Sequence, residues 1–464
     1  MKRRLIWLFV LLVAVSGCGP KTAKTGSWGD QGDGTFRNPM LNADYPDVDI
    51  ERVGDMYYMI TSTNHYAPGM TLLESKDMLN WRIIGHVWEK LTWEPKYNWD
   101  KMAGYRHGVW AGDLAYHNGK WFCYFIDFSS GLYVSTAEDI AGPWSQPVCM
   151  LKNQFWRDPA VFWDEDEKQA YLICNFGRDP SVKERQNQNR IFKMSWDGLR
   201  LLDEGKPIYS APGAEAAKIY KIDGTFYIFL AEWRDNDRKQ IVLRGKSIYG
   251  PFERKVVMEE GGVVDRSVCQ GALVQVQDGS WWFTHQLVQN RAKKKGDLAG
   301  ATTGESYEGR SQWLIPVKWK GGWPVLGKDA DGNGIGNTVF SGRKPIKGFP
   351  VTAPQTDDEF DSPKLGGQWQ WNHNPRDDHW SLTERPGWLR LKAAVPVGDG
   401  GFWNAANTIS QRIMGKVKGS VVAKVDISEM KPGQQAGFCH HSGQYILLGI
   451  RVEPDDTKRL VLNN

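Results

Sequence analysis

Three acids fall within six positions at the start of one strand-like stretch, Asp44, Asp47 and Asp49 in "NADYPDVDIERVGDMYYMIT", 42–61. A buried strand avoids such a cluster, so these carboxylates either face water at a strand end or are held together for chemistry. Other polar groups occupy matching places further along the chain: Gly112-Asp113, Asp158, Glu215 and Cys269-Gln270. Carboxyls drawn into one pocket can do acid–base work, one protonated and one ionised, which is the arrangement that hydrolysis of a glycosidic bond requires.

That chemistry needs a fold that brings distant residues together, and the sequence carries a repeat that would. One pattern, an apolar strand, a turn and an aromatic-rich strand, occurs five times. Its copies are "VDIERVGDMYYMIT", "GDLAYHNGKWFCYF", "PAVFWDEDEKQAYLIC", "AAKIYKIDGTFYIFL" and "GALVQVQDGSWWFTH". The turns centre on Gly54, Gly119, Glu167, Gly224 and Gly279, about 50 to 65 residues apart. Each copy reads as a hairpin. A further strand pair follows, clearest in "TLLESKDMLNWRIIG", "GLYVSTAEDIAGPWSQP" and "IVLRGKSIYGPFER". Four strands per unit and five units predict an all-β, five-bladed propeller. Helical periodicity is absent. The first strands of the blades line the axis, so Asp47, Asp158 and Glu215 would meet at one mouth.

Composition narrows the function classes. Net charge is +4 on 464 residues, with no basic run beyond Lys293–Lys295, which argues against nucleic acid as a partner. The 23 Trp residues suit packing between sheets or stacking on sugar rings. The chain starts MKRR, runs apolar over eleven residues from Leu5 to Val15, and then reads Ser16-Gly17-Cys18. That run is too short to span a bilayer and resembles a lipoprotein signal. It implies a signal peptide at 1–17, a lipid on Cys18, a flexible tether at 18–33 and a place on the bacterial cell envelope. The other five cysteines lack CxxC spacing, which argues against a zinc site and a full disulfide framework.

The segments "NPMLNADYPDVDIERVGDMYYM", "RDPAVFWDEDEKQAYL", "GAEAAKIYKIDGTFYIFLAE" and "GRSQWLIPVKWKGGWPVLG" resemble glycoside hydrolase family 43, over about Gly34–Arg343. The resemblance implies a five-bladed propeller that cleaves arabinose- and xylose-containing glycans with inversion. It places the general base on Asp47, the residue that orients the acid and raises its pKa on Asp158, and the general acid on Glu215. Arg310 matches a sugar-binding arginine and Trp110 an aromatic residue lining the pocket. Asn64 and His65, with Tyr66 and His107, fall on loops expected to rim the mouth, and the 90–107 loop has no counterpart in the other repeats.

The chain departs from the family pattern in places. Val48 and Asp49 follow the base, Glu215-Ala216-Ala217-Lys218 replaces an "EGPH" segment, and Cys269-Gln270 stands where relatives carry a channel His. That His is tied to a bound metal ion or to fixing the pocket, so the resemblance leaves a central calcium open, requires no cofactor and assigns no metal ligand. "DADGNGIGN", 329–337, reads as a turn, because position twelve of a calcium loop would be Phe340.

A linker rich in Pro, Lys and Gly spans 344–356 and follows the 34–343 propeller. The remainder, 357–464, resembles the β-sandwich of β-xylosidase-like relatives, with strands such as "GSVVAKVDI" and "YILLGIRVE". It ends about halfway through what such a sandwich occupies, so an unpaired edge and an exposed apolar face are expected. The expected activity is an inverting, exo-acting hydrolase releasing terminal β-D-xylose or α-L-arabinofuranose from hemicellulose or pectin. The alternatives are a non-catalytic glycan-binding lipoprotein on the same propeller and a retaining hydrolase.

Overall fold

The computed structural model describes residues 28–153, 155–177, 186–234, 237–259, 267–288, 309–412, 420–441 and 445–463. The lipoprotein-like segment, Cys18 included, lies outside them. The described chain is all-β, its only helical turns being the short 3-10 segments Pro95–Tyr97, Asp377–His379 and Gly401–Asn404.

Five antiparallel sheets follow one another along the chain. The first is Asp49–Val53, Met56–Thr61, Gly69–Ser75 and Arg82–Trp88. The second is Val109–His117, Lys120–Asp127, Gly131–Ala137 and Val148–Lys152, and the third Trp156–Asp164, Gln169–Phe176, Asn187–Met194 and Lys206–Ala211. The fourth is Glu215–Ile222, Thr225–Arg234, Asp237–Gly245 and Glu253–Met258. In the fifth, Ser267–Cys269 and Leu273–Gln275 both pair with Trp281–Val288, and Ser311–Lys320 and Trp323–Leu326 follow. Hairpin turns set the registers. Asn118-Gly119 and Asp223-Gly224 hold positive φ at both turn positions, the geometry whose twist matches a two-residue hairpin.

The aromatic-rich second strands are apolar on both faces because both faces are buried. In "KWFCYFID", Trp121, Cys123 and Phe125 pack towards the first sheet, and Phe122, Tyr124 and Ile126 towards the third. In the fourth sheet, Phe226, Ile228 and Leu230 face the third sheet, and Tyr227 and Phe229 the fifth. A further cluster joins Ile50, Tyr57 and Met59 of the first sheet to Ala272, Val274 and Trp282 of the fifth. Each sheet is thus packed between its neighbours, the fifth against the first.

Polar bonds along the inner strands repeat that order. Asp49 accepts the Leu114 N–H (2.8 Å), Asp113 that of Val161 (2.9 Å) and Asp158 that of Ala216 (2.8 Å). The Tyr220 hydroxyl accepts the Leu273 N–H (2.8 Å), and the Gln286 side-chain carbonyl accepts the Asp47 N–H (3.0 Å). Thr35–Arg37 pairs with Ser341–Arg343, bringing the start of this body to its end.

The C-terminal segment lies against the first two sheets. Gln370–Asn372 pairs with Tyr66–Ala67, a loop of the first sheet, and with Ile409–Ser410. The 90–107 loop is held on one side by Asp127, which accepts from Trp93 Nε1 and the Tyr97 hydroxyl (both 2.7 Å), and on the other by Asn374. Gln435–His441, Tyr445–Val452 and Lys458–Asn463 form a separate three-stranded sheet. Phe438, Ile446, Leu448, Leu460 and Leu462 are exposed on it. The strand expected from "GSVVAKVDI" does not form over 420–427: Val421, Val422 and Val425 are exposed and pair with no strand among the described residues.

Candidate active site

Asp47, Asp158 and Glu215 stand at the beginnings of the inner strands of the first, third and fourth sheets. A repeated kink aims them. The inner ladders of the third and fourth sheets shift register between Arg157 and Ala160 and between Glu215 and Lys218. Left-handed backbone occurs at Asp47 (φ 55°), Asp158 (φ 46°), Ala216 (φ 59°) and Gln270 (φ 50°). Bulges of this kind re-aim side chains, and non-glycine residues in this region cluster at functional sites.

Asp47 is buried, and both its carboxylate oxygens are engaged. Oδ2 accepts the Ser62 hydroxyl (2.8 Å), and Oδ1 accepts Arg310 Nη1 (2.6 Å) and, at 3.5 Å, Gln286 Nε2. Arg310 is positioned by its own backbone, whose N–H donates to Asp44 Oδ1 (2.8 Å). Gly309 precedes it at φ +68°, where a Cβ would stand 2.4 Å from the Asp44 carboxyl, so only glycine allows this approach.

Asp158 is partly buried. Burial first, then repulsion from Asp47, pushes its carboxyl above the usual range, against the Ala216 N–H and the charges of Arg238 and Arg157. That repulsion couples the first and third sheets. The Ala216 N–H, next to Glu215, couples the third and fourth. Glu215 forms an ion pair with Arg238 and accepts from Asn187 Nδ2 (3.4 Å).

Trp110 stacks on Phe128 (centroids 4.4 Å apart), and the Arg157 guanidinium lies 4.0 Å over the other ring. His107 meets the Phe128 edge. Asn64 is bonded through its backbone to Val109, fixing the neighbouring loop. His65 is buried among Tyr66, Tyr105 and His373, where the C-terminal segment covers it beside Asn372.

Lys218 bears on the open question of a central calcium. Its ammonium lies 2.7 Å from Asp49 and 2.5 Å from Asp113, where the inner strands of the first, second and fourth sheets meet. A divalent cation does not fit there, because the Lys218 ammonium already occupies the place between the donors. Two carboxylates around one ammonium leave excess negative charge. Asp113 responds: burial, then Asp49, pushes its carboxyl up to about 7 against the pull of Lys218. No group of three or more ligating side chains that could hold a metal occurs among the described residues, and 329–337 is a turn bridged by Lys328 and Asn337.

Reading the sequence alone missed Ser62, Gln286, Arg238 and the role of Lys218. The signal for Lys218 was a lone Lys in the apolar run "AAKIY" of an inner strand, which needs an acidic partner to be buried.

The family model for glycosyl hydrolases family 43 matches residues 36–324, and that for the β-xylosidase C-terminal concanavalin A-like domain matches 357–464. A β-xylosidase of Formosa agariphila is 55% identical over 94% of this chain and 78% of its own. A non-reducing end α-L-arabinofuranosidase of Bacteroides ovatus is 30% identical over 78% of this chain and 65% of its own. The crystal structure of the GH43 BlXynB protein from Bacillus licheniformis superposes with a TM-score of 0.71 at 25% identity, covering 92% of this chain and 83% of the other. The chain belongs to glycosyl hydrolase family 43 and is a glycoside hydrolase.

Proposed function

We propose that the chain is an inverting, exo-acting glycosidase of β-xylosidase type built on a five-bladed propeller. The observation that carries this reading is the linkage of Asp47, Asp158 and Glu215 across three sheets. The propeller is supported by the packing of each sheet on the next and of the fifth on the first.

In this reading Asp47 is the base. Ser62 and Arg310 hold its carboxylate so that one water can be activated beside the sugar. Glu215 is the acid that protonates the leaving oxygen. Its pair with Arg238 must open as the leaving group arrives. Asp158 neighbours both and sets their relation without touching the scissile bond. Inversion needs roughly 6.5–9.5 Å between acid and base, which residues from separate sheets can span. Arg310 and Trp110 would bind the sugar, with Asn64 near the rim; His65, expected at the rim, is instead buried under the C-terminal segment and would act only by supporting that loop.

Terminal β-xylose is the favoured substrate, because the Formosa relative is a β-xylosidase. Terminal α-L-arabinofuranose is the second reading, favoured by the Bacteroides relative. The proposal keeps the division into a 34–343 catalytic body, a 344–356 linker and a 357–464 sandwich. It also keeps an envelope tether at Cys18, supported by the MKRR, apolar and Ser-Gly-Cys order. Nitrophenyl β-D-xylopyranoside and α-L-arabinofuranoside, assayed side by side, test the substrate. Faster turnover of the xyloside is expected; binding without release of either pentose would restore the glycan-binder reading.

A further inference from the structure

The C-terminal segment sends one guanidinium into the first sheet. Arg412 Nη1 donates to the Asp44 carbonyl (2.7 Å), and Nη2 donates to the Ser62 carbonyl (3.3 Å) and Thr71 Oγ1 (2.9 Å). Its carbon centre lies 4.8 Å over the Tyr45 ring. The hydrogen-bond partners are carbonyls and a hydroxyl, so this cation grips backbone and forms no carboxylate pair among the described residues.

Both gripped carbonyls belong to residues that hold Asp47. The Ser62 hydroxyl donates to Asp47 Oδ2. The Asp44 carboxylate accepts the Arg310 N–H, and Arg310 donates to Asp47 Oδ1. Asp47 has left-handed backbone, a conformation that persists only when its surroundings over-determine it. A planar guanidinium can bridge two carbonyls in fixed directions, which an ammonium on a flexible stem cannot.

We infer that Arg412 is a positioning residue for Asp47, through which the C-terminal segment sets the geometry of the water-activating carboxylate. The inference rests on Asp47 being the base. Loosening Asp44 and Ser62 together would let both ends of that carboxylate drift, and misplacement by about 1 Å can cost on the order of 100-fold in rate.

The test compares Arg412→Gln, Arg412→Lys, Gln355→Ala and Asp47→Ala in the full chain, reading kcat, KM, the acid limb of the kcat/KM pH profile and Tm. Gln355 clamps the linker to Ile83 through bonds of 3.3 Å and, among the described residues, makes no hydrogen bond to Asp44, Asp47, Ser62 or Arg412, so it reports the cost of loosening attachment alone. Arg412→Gln is expected to lower kcat by about 10- to 100-fold with little change in KM and to move the acid limb. Arg412→Lys should recover part of the loss, and Gln355→Ala should lower Tm with kcat unchanged. Wild-type kcat and acid limb in Arg412→Gln, or an equal fall in kcat in Gln355→Ala, would overturn the inference. Should Arg412→Gln fail to fold, Arg412→Lys decides: a fall in kcat with a moved acid limb supports the inference, and wild-type behaviour overturns it. Full turnover in Asp47→Ala would instead remove the base assignment on which it rests.

Discussion

Replacing Lys218 by Met removes the cation from the meeting point of three sheets and leaves Asp49 and Asp113 facing each other without it. Each carboxylate keeps only its backbone N–H, from Leu114 and Val161. Breaking a buried pair by deleting one partner costs about 3–5 kcal/mol, because the remaining charge is stranded. The full cost applies at pH 8, above the folded pKa of Asp113. At pH 5 Asp113, already raised by burial and by Asp49, holds a proton, and the loss falls to roughly half. Urea midpoints followed by Trp fluorescence at the two pH values measure both figures. The double variant with Asp113→Asn should regain much of the loss at pH 8, since one stranded charge is gone. A loss below about 1 kcal/mol at pH 8, or one independent of pH, would refute the claim that the ammonium ties these sheets.

Asp113→Asn alone should change how stability depends on pH. The folded pKa of about 7 lies above the value of about 3.9 in an unfolded chain, so between them the folded state keeps a proton that the unfolded state has lost. Wild-type stability therefore falls as pH rises through that window, and the variant should flatten the slope in paired denaturation series at pH 4.5 and 8. Glu215→Gln should nearly abolish cleavage of glycosides with poor leaving groups while sparing part of the activity on activated aryl glycosides. Equal losses on both, read from kcat/KM, would move the acid elsewhere.

Much of the sheet order was legible because it is local. Asn118-Gly119 and Asp223-Gly224 mark hairpins in a few residues, and two-sided apolar strands such as "KWFCYFID" mark burial. The acids were legible as a set only through the repeat, which put Asp47, Asp158 and Glu215 at equivalent strand starts. What holds them was not. Gln286 and Arg310 reach Asp47 across 239 and 263 residues, and Arg412 reaches Asp44 across 368. No periodicity links residues so far apart. Asp49 proves to be one of two carboxylates in the buried Lys218 cluster, and at Lys218 the loss of the "EGPH" His had hidden the gain of a cation. In the C-terminal segment, alternation over 420–427 suggested a strand, yet a strand needs a partner that the pattern cannot supply.

The account stands most directly on the stereochemistry of the first turnover. Proton NMR of the sugar released from a β-xyloside, read before mutarotation, should show α-xylose forming first, as water activated by Asp47 attacks the face opposite the leaving group. β-Xylose as the first product would contradict the role of Asp47 and the mechanism built on it.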